Sequence, residues 1–241
     1  MDGYSVEVDF EPGHPNKLSL TTDGAKMINI SNELRSAAEK GDEARVKGLL
    51  LNPKCDALAK DDGGWTALIY AAHEGHNSCL QLLLPVSDAL AKGNNGMTAL
   101  MHAASEGHTS CIQLLLPVSN ALAKDNEGLT ALIWAARKGH TSCIQLLLPV
   151  SDALAKSNVG WTALIYSARF AHTSCTQLLL PFSDALATDN NGRTATSIAA
   201  DFRNDTTVSL IDAYTLAMSE LTALHSSVAI GQPRKSKAVR V

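Results

Sequence analysis

Apolar residues in this chain fall into two short clusters that are separated by a turn and followed by a polar loop. At 131–136 the first cluster reads ALIWAA, and at 142–148 the second reads SCIQLLL. Each cluster places apolar positions three and four residues apart, which is the spacing of one helix face. Gly139 lies between the clusters, and Pro149 follows the second. The pattern therefore predicts two short helices that are joined by a tight turn and ended by a proline.

The same pattern recurs with a period of 32 residues. Regular copies begin at Gly64, Gly96, Gly128 and Gly160, and a degraded copy begins at Gly192. In each copy a threonine precedes the first helix, where its hydroxyl can cap the helix. A cluster of Asp, Asn and Gly precedes that threonine and predicts a bent tip on a short extended arm. One copy has too little apolar surface to fold alone, so we expect the copies to stack.

The ends of the repeated region differ from its middle in a way that suits end units. The segment from Asn32 aligns with the repeat but carries extra charged residues, and the copy from Gly192 has Thr196 where its siblings have leucine. Terminal units of a stacked array need one face that water can wet. A longer helix is predicted over 207–225, with Ile211, Tyr214, Met218, Leu221 and His225 near one stripe.

Five segments follow from this pattern. They are an N-terminal arm or short hairpin (1–30), an N-terminal capping repeat (31–60), four full repeats (61–188), a C-terminal capping repeat with an extended helix (189–225), and a basic disordered tail (226–241). Alternating apolar residues on both sides of Pro12 and Pro15 suggest the hairpin, and a loose arm is the alternative.

The repeated motif resembles a known family. TALIYA at 66–71, TALMHA at 98–103 and TALIWA at 130–135 are similar to the T-P-L-H-x-A signature of ankyrin repeats, and the Gly-His steps and leucine runs agree with it. The resemblance extends from about Asn32 to Leu224. It implies an all-α repeat solenoid of stacked helix-turn-helix units with extended β-turn arms. The chain departs from the family signature at two positions. Alanine stands in place of the proline of T-P-L-H, and isoleucine or methionine stands in place of its histidine.

Composition and charge narrow the class of protein. Hydrophobic residues make up 45% of the chain and charged residues 18%, as in folded proteins. The net charge of the chain is −4. The last eleven residues contain four basic residues and no acid, so the remainder of the chain is more acidic still, with a net charge of −4 − 4 = −8. The repeats are therefore not expected to bind nucleic acid. No apolar run approaches the roughly 18 residues that span a bilayer, and the acidic start is unlike a signal peptide. We expect a cytoplasmic protein without membrane insertion; nuclear entry through the basic tail and specialised secretion stay open.

Two ladders of reactive side chains recur once per repeat. They are the cysteines Cys79, Cys111, Cys143 and Cys175, and the histidines His76, His108, His140 and His172. Stacked helices lie about 8 to 10 Å apart, which is too far for a disulfide or a shared zinc ion between neighbours. We expect the cysteines to be buried as small hydrophobic residues and the histidines to form hydrogen bonds with the backbone. No metal site, cofactor or catalytic residue is predicted, and the chain is expected not to be an enzyme.

Comparison between the repeats separates positions that build the stack from positions that are free to vary. The varying positions are the two turn-tip residues, the residue before the threonine, and the residues around the Ala pair. From these we predict a protein-binding set of Asp62, Trp65, Tyr70, His73, Glu74, Asn95, Met97, His102, Glu106, Glu127, Leu129, Trp134, Arg137, Lys138, Trp161, Tyr166, Arg169 and Phe170. Trp, Tyr and Arg dominate binding energy at protein interfaces. The alternative is neutral drift, with Tyr70, Trp134 and Tyr166 as packing residues.

The resemblance implies that most of these residues line the concave side of the array. It favours a monomeric adaptor or scaffold that binds another protein. Two alternatives stay open: a regulatory subunit or inhibitor that occludes an enzyme, and a microbial effector that binds host proteins. An ankyrin fold by itself does not name the partner.

Overall fold

The computed structural model describes the backbone of residues 22–230 and the side chains of residues 29–225. Over this range the chain forms twelve α-helices that pair into stacked units. They are α1 (Thr22–Lys40), α2 (Glu43–Leu50), α3 (Ala67–Glu74), α4 (Asn77–Leu83), α5 (Ala99–Glu106), α6 (Thr109–Leu115), α7 (Ala131–Lys138), α8 (Thr141–Leu147), α9 (Ala163–Arg169), α10 (Thr173–Leu179), α11 (Ala195–Asp201) and α12 (Asp205–Ile230). The all-α repeat solenoid that the sequence predicts is confirmed.

The first helix of each regular unit is set by a threonine at its start and a glycine at its end. Oγ1 of Thr66 accepts a hydrogen bond from the backbone N of Ile69 at 3.3 Å, and the threonine of every later unit does the same. α3 ends at Gly75, which has a left-handed φ of 78°. Glycine adopts this conformation without a Cβ clash, so it stops the helix at little cost.

The second helix of each unit is short because a proline follows it. α4 ends at Leu83, and the chain continues as a single 3₁₀ turn over Leu84–Val86 that contains Pro85. Proline has no N–H to donate into an α-helix, so the regular hydrogen bonds cannot continue through it. α6, α8 and α10 end in the same way.

The hydrophobic core lies between two rows of helices. The first helices, α3, α5, α7, α9 and α11, form an inner row, and the second helices form an outer row. Helices of the inner row contact one another more extensively than helices of the outer row, so the array curves toward the inner row. We call the side formed by the inner row and the turn tips the inner face.

Histidines of the second helices join each unit to the one before it. Nε2 of His108 donates to the carbonyl O of His73 at 2.9 Å, and its ring lies against Gly75. A Cβ on Gly75 would come within 2.6 Å of Nδ1 of His108. The equivalent bonds run from His76 to Glu39, from His140 to Ser105 and from His172 to Arg137, at 3.0, 2.8 and 3.2 Å. The histidine ladder therefore bonds to backbone, as the sequence predicts, and the glycines make room for its rings.

Asparagines at the turn tips form a second ladder of bonds between neighbouring units. Nδ2 of Asn126 donates to the carbonyl O of Asn94 at 2.8 Å, and Nδ2 of Asn158 donates to that of Asn126 at 2.9 Å. The backbone N of Asn158 also donates to the carbonyl O of Glu127 at 2.9 Å. The asparagine at the start of each later turn tip therefore holds neighbouring units together, whereas Asp62 contributes only its backbone carbonyl and keeps an exposed side chain.

The fourth full unit departs from the regular pattern, and two of its departures are paired with a second change. Ala171 stands where earlier units have glycine and keeps a positive φ of 58°. The next unit has Asn204 in place of the histidine, and its Nδ2 donates to the carbonyl O atoms of Ala168 and Arg169 at 2.9 and 3.0 Å. A smaller side chain thus replaces the imidazole ring where the extra methyl group stands.

A second compensated pair lies inside the core of the same unit. Ser167 replaces an alanine, Thr176 replaces an isoleucine or leucine, and both are fully buried. Their hydroxyl oxygens are 2.9 Å apart, and each hydroxyl also has a backbone carbonyl of its own helix within hydrogen-bonding distance, so each of the two hydrogens has an acceptor. Each buried hydroxyl therefore has a partner, which removes most of the cost of burying it.

The ladder cysteines are core residues. Cys79, Cys111, Cys143 and Cys175 are buried, and all are free thiols. Burial raises the pKa of both Cys111 and Cys143 to about 11, so both are neutral at physiological pH. The expectation of buried small hydrophobes at these positions is confirmed.

The two end units extend beyond the boundaries that the sequence pattern indicates. α1 begins at Thr22, so residues 22–30 are helical; the hairpin expected around residues 6–20 lies outside the described residues. α12 continues through residue 225 to Ile230. Ile211 is buried in the stack, but Met218 and Leu221 are 42% and 45% exposed, so the predicted stripe runs past the end of the array.

Candidate protein-binding face

The predicted binding residues lie on the first helices and turn arms, which form the inner face. The two large aromatic residues before the Ala pair are held by aspartates of their own turns. Tyr70 Oη donates to Oδ2 of Asp61 at 2.6 Å, and Trp134 Nε1 donates to Oδ2 of Asp125 at 2.9 Å. The hydrogen bond to Asp61, together with burial, raises the pKa of Tyr70 to about 12. These rings are half-buried and oriented by the scaffold.

An aromatic cluster joins the first two full units on this face. The ring of Trp65 packs against the rings of Tyr70, His73 and His102, with centroid distances of 5.0, 5.1 and 4.4 Å. His73 and His102 also contact each other edge to face at 5.4 Å. Because His102 belongs to the next unit, the cluster continues across the repeat boundary.

His102 is the most perturbed histidine of the face. It is 4% exposed, and its Nε2 has no hydrogen-bond partner within the described part of the chain. Burial, with a smaller contribution from the neighbouring His73, lowers the pKa of His102 to about 4. The ring is therefore neutral at physiological pH and acts as a packing surface for Trp65.

The face changes character at the third unit, where arginines replace the histidine and serine of the first two. The guanidinium carbon of Arg137 lies 4.9 Å from the ring centroid of Trp134 and 5.9 Å from that of Tyr166 in the next unit. Nη1 of Arg137 is 3.8 Å from Oε2 of Glu127, an exposed turn-tip carboxylate. Tyr166 is only 7% exposed and serves mainly as a wall.

A groove of about 340 Å³ opens where the third, fourth and last units meet. We call it the arginine pocket. It is lined by Glu127, Arg137, Val159, Trp161, Tyr166, Arg169, Phe170, Asn191 and Arg193. Three guanidinium groups and three aromatic rings therefore share one concave site.

A buried aspartate fixes the floor of this pocket. Oδ2 of Asp189 accepts hydrogen bonds from Nε1 of Trp161 at 3.0 Å and from Nη2 of Arg193 at 2.9 Å, and Oδ1 accepts from the backbone N of Arg193. Burial alone would raise the pKa of Asp189, but these bonds and one from the backbone N of Asn191 lower it to about 2. Trp161 and Arg193 are thus held in place by a permanently charged carboxylate.

Some predicted binding residues have no surface to offer. Leu129 is fully buried and Met97 is 6% exposed, so both are core residues. The residue before the threonine can therefore contact a partner only in the units where it is Trp65, Trp161 or Arg193. Arg193 was missed because the last repeat was treated only as a cap; extending the same comparison to that repeat finds it at the position of the tryptophans.

Comparison with protein families agrees with the architecture. A stack of paired helices with a groove along its inner row defines the chain as a helical repeat solenoid. The family model described as ankyrin repeats (3 copies) matches residues 34–121, 85–157, 118–189 and 150–217. The chain belongs to the ankyrin-repeat family, whose members are generally protein–protein interaction modules and typically non-enzymatic.

No group of three or more His, Cys, Asp or Glu side chains within the described residues is arranged to hold a metal ion. Among the helices of residues 22–230, none combines the length and apolar character that a membrane span requires.

Proposed function

We propose that this chain is a non-enzymatic adaptor that binds another protein through its inner face. One observation carries the proposal: the aromatic and charged residues that differ between repeats contact each other from unit to unit. The contacts run from Trp65 to His102 near one end and from Arg137 to Tyr166 and Arg169 to Phe202 near the other. Two sets of residues that are held between repeats, the capping threonines and the ladder histidines, are by contrast occupied with bonds inside the stack.

The composition of the face supports protein recognition. Half-buried tryptophan and tyrosine rings are held rigid by Asp61, Asp125 and Asp189, so little conformational entropy is lost when a partner packs on them. Arginine and aromatic residues are the types most enriched among residues that dominate binding energy. Exposed residues such as Lys138 and Phe170 add contacts at the rim.

A capture experiment with matched variants tests the proposal. The full chain, a face variant (Arg137→Ala, Lys138→Ala, Phe170→Ala) and an outer variant (Gln113→Ala, Gln145→Ala, Gln177→Ala) are immobilised in an extract of the source cells. The three glutamines are exposed on the outer row of helices. Bound proteins are identified by mass spectrometry, and circular dichroism checks that both variants fold.

Proteins that the outer variant retains and the face variant loses are the expected result. Equal capture by all three chains, or loss only with the outer variant, contradicts binding through the inner face. If the face-dependent partner is a single enzyme whose activity falls when the full chain is added, the chain acts as an inhibitor rather than a scaffold.

A further inference from the structure

The two central arginines of the arginine pocket lie against aromatic rings. The guanidinium carbon of Arg169 lies 3.2 Å from the ring centroid of Phe202 and 5.1 Å from that of Phe170, and Arg137 lies over Trp134. Among the described residues, neither guanidinium donates a hydrogen bond to a carboxylate; Arg137 forms a long ion pair with the exposed Glu127, at 3.8 Å between Nη1 and Oε2. A guanidinium stacked on a ring keeps its N–H donors in the plane of the group, free for a ligand.

The third arginine of the pocket has a different role. Nε and Nη2 of Arg193 donate to Oδ2 of Asp189 at 3.1 and 2.9 Å, so this pair is internally neutralised. Arg137 and Arg169 therefore carry the charge that is available to a ligand, and Glu127, which is exposed at the rim, offsets only part of it. The pocket has a net positive charge in a chain whose net charge is −4.

Part of the rim of the pocket is apolar. Val159 is 53% exposed and Phe170 is 41% exposed, and the ring of Trp161 is half-buried beside them. A polyphosphate backbone has no apolar group to place against these side chains, and it would meet acids along the rest of the face. A protein segment can place a carboxylate between the arginines and an apolar side chain on the rim.

Charge changes sign along the inner face. The positions after the Ala pair are His73 and Glu74 in the first full unit and Arg137 and Lys138 in the third. The second unit has Glu106 at this place. An extended segment that lies along the face is thus favoured in one direction, with its acidic part over the arginine pocket.

We infer that the arginine pocket binds a carboxylate side chain, Asp or Glu, of an extended segment in the partner protein, with an adjacent apolar residue on the rim formed by Val159 and Phe170. This inference rests on the proposed function and specifies the partner's chemistry. Arg137 and Arg169 donate to the carboxylate oxygens, and the surrounding rings exclude water and keep the guanidinium groups oriented.

A selection experiment tests the inference. A phage-displayed library of random peptides is selected on the full chain, on the double variant Arg137→Gln/Arg169→Gln, and on the matched control Lys40→Gln/Lys47→Gln. The control removes the same number of charges from exposed positions of the first unit. Circular dichroism verifies that each chain folds. We expect peptides enriched in one acidic position next to an apolar residue on the full chain and on the control, and loss of this enrichment on the double variant.

Synthetic versions of an enriched peptide then measure the contribution of the carboxylate. The peptide is made with its acidic residue, with the corresponding amide, and with phosphoserine, and binding is followed by fluorescence anisotropy. The amide is expected to weaken binding to the full chain by about tenfold or more, and to have less than a twofold effect on the double variant. Binding of the acidic peptide should also weaken as salt is raised.

The outcomes separate this inference from the proposed function. Face-dependent peptides without an enriched acid, an equal effect of the amide on both chains, or binding only by the phosphoserine peptide each overturn the carboxylate assignment and leave partner binding intact. A library that yields no peptide sensitive to any inner-face variant counts against both.

Discussion

The close packing of Gly139 against His172 makes the glycine at this position far more sensitive to substitution than its exposure suggests. Gly139 has a φ of 83°, and a Cβ there would come within 2.6 Å of Nδ1 of His172. We therefore expect Gly139→Ala to destabilise the array in two ways. The alanine is strained in the left-handed conformation, and its methyl group displaces the ring that bonds to the carbonyl O of Arg137.

The magnitude follows from these two contributions. Alanine in the left-handed region costs about 1 to 2 kcal/mol, of which roughly 0.4 to 1 kcal/mol is recovered from the lower entropy of the unfolded chain. Loss of the histidine hydrogen bond adds about 0.5 to 1.5 kcal/mol. Together with the displaced ring, we expect a decrease of about 2 to 3 kcal/mol in the free energy of unfolding.

The chain contains its own control for this reasoning. Ala171 already occupies the equivalent position one unit later, and it faces Asn204 instead of a histidine. The double variant Gly139→Ala/His172→Asn should therefore lose only about 0.5 to 1 kcal/mol, because the clash is gone and the strain remains. Ala171→Gly should gain a similar amount.

Urea denaturation followed by tryptophan fluorescence measures these differences, and hydrogen exchange shows whether the unit around Gly139 opens separately. The decisive comparison is between Gly139→Ala alone and Gly139→Ala with His172→Asn. If both lose the same free energy, the contact with the histidine ring has no energetic weight and the explanation for Ala171 with Asn204 fails.

Three further predictions concern His102, the ladder cysteines and the fourth full unit. The pKa of His102 is about 4 in the folded chain and about 6.5 in the unfolded chain, so the unfolded chain takes up the proton first as the pH falls. The free energy of unfolding should therefore drop by about 2 to 3 kcal/mol between pH 7 and pH 4.5 because of this residue. Urea titrations at both pH values should show that His102→Leu removes this part of the loss. Cys143→Ser should lower the free energy of unfolding by about 1 to 3 kcal/mol, because it buries a hydroxyl group. Cys111→Ser should lower it less, because Oδ1 of Asn77, 2.9 Å from the Cys111 sulfur, can accept a hydrogen bond from the serine. An equal loss for the two variants in thermal denaturation would contradict this. Because Ala171 keeps a strained positive φ, we expect the fourth unit to be the least stable; hydrogen exchange should show residues 161–180 opening before 97–116, and equal protection would refute this.

The architecture of this chain could be predicted because its causes are local. Threonine caps such as Thr66, left-handed glycines such as Gly75 and a proline after each second helix act within a few residues, and the 32-residue period repeats them. Burial of the ladder cysteines followed from the same regularity. The irregular Ala171 was also recognisable as a left-handed position, because its neighbours in the alignment of repeats are glycines.

Contacts between units could not be predicted from the sequence in the same way. The first turn-tip residue is Asp62 in the first full unit and asparagine in the later ones, yet the bond of Asn126 to Asn94 depends on how closely two turn tips approach, which only the stacking distance decides. The partnership of Ala171 with Asn204, 33 positions away, likewise appears only when the two units are stacked.

For the candidate binding face, the sequence by itself determined which positions vary and which residue types they carry. Only the tertiary structure decided which of them reach the surface: it buried Leu129, tied Trp161 to Asp189 of the next unit, and brought Arg193 beside Arg137 and Arg169. The physical reason is that exposure and charge pairing depend on the neighbouring unit, whereas helix starts and ends depend on the chain itself.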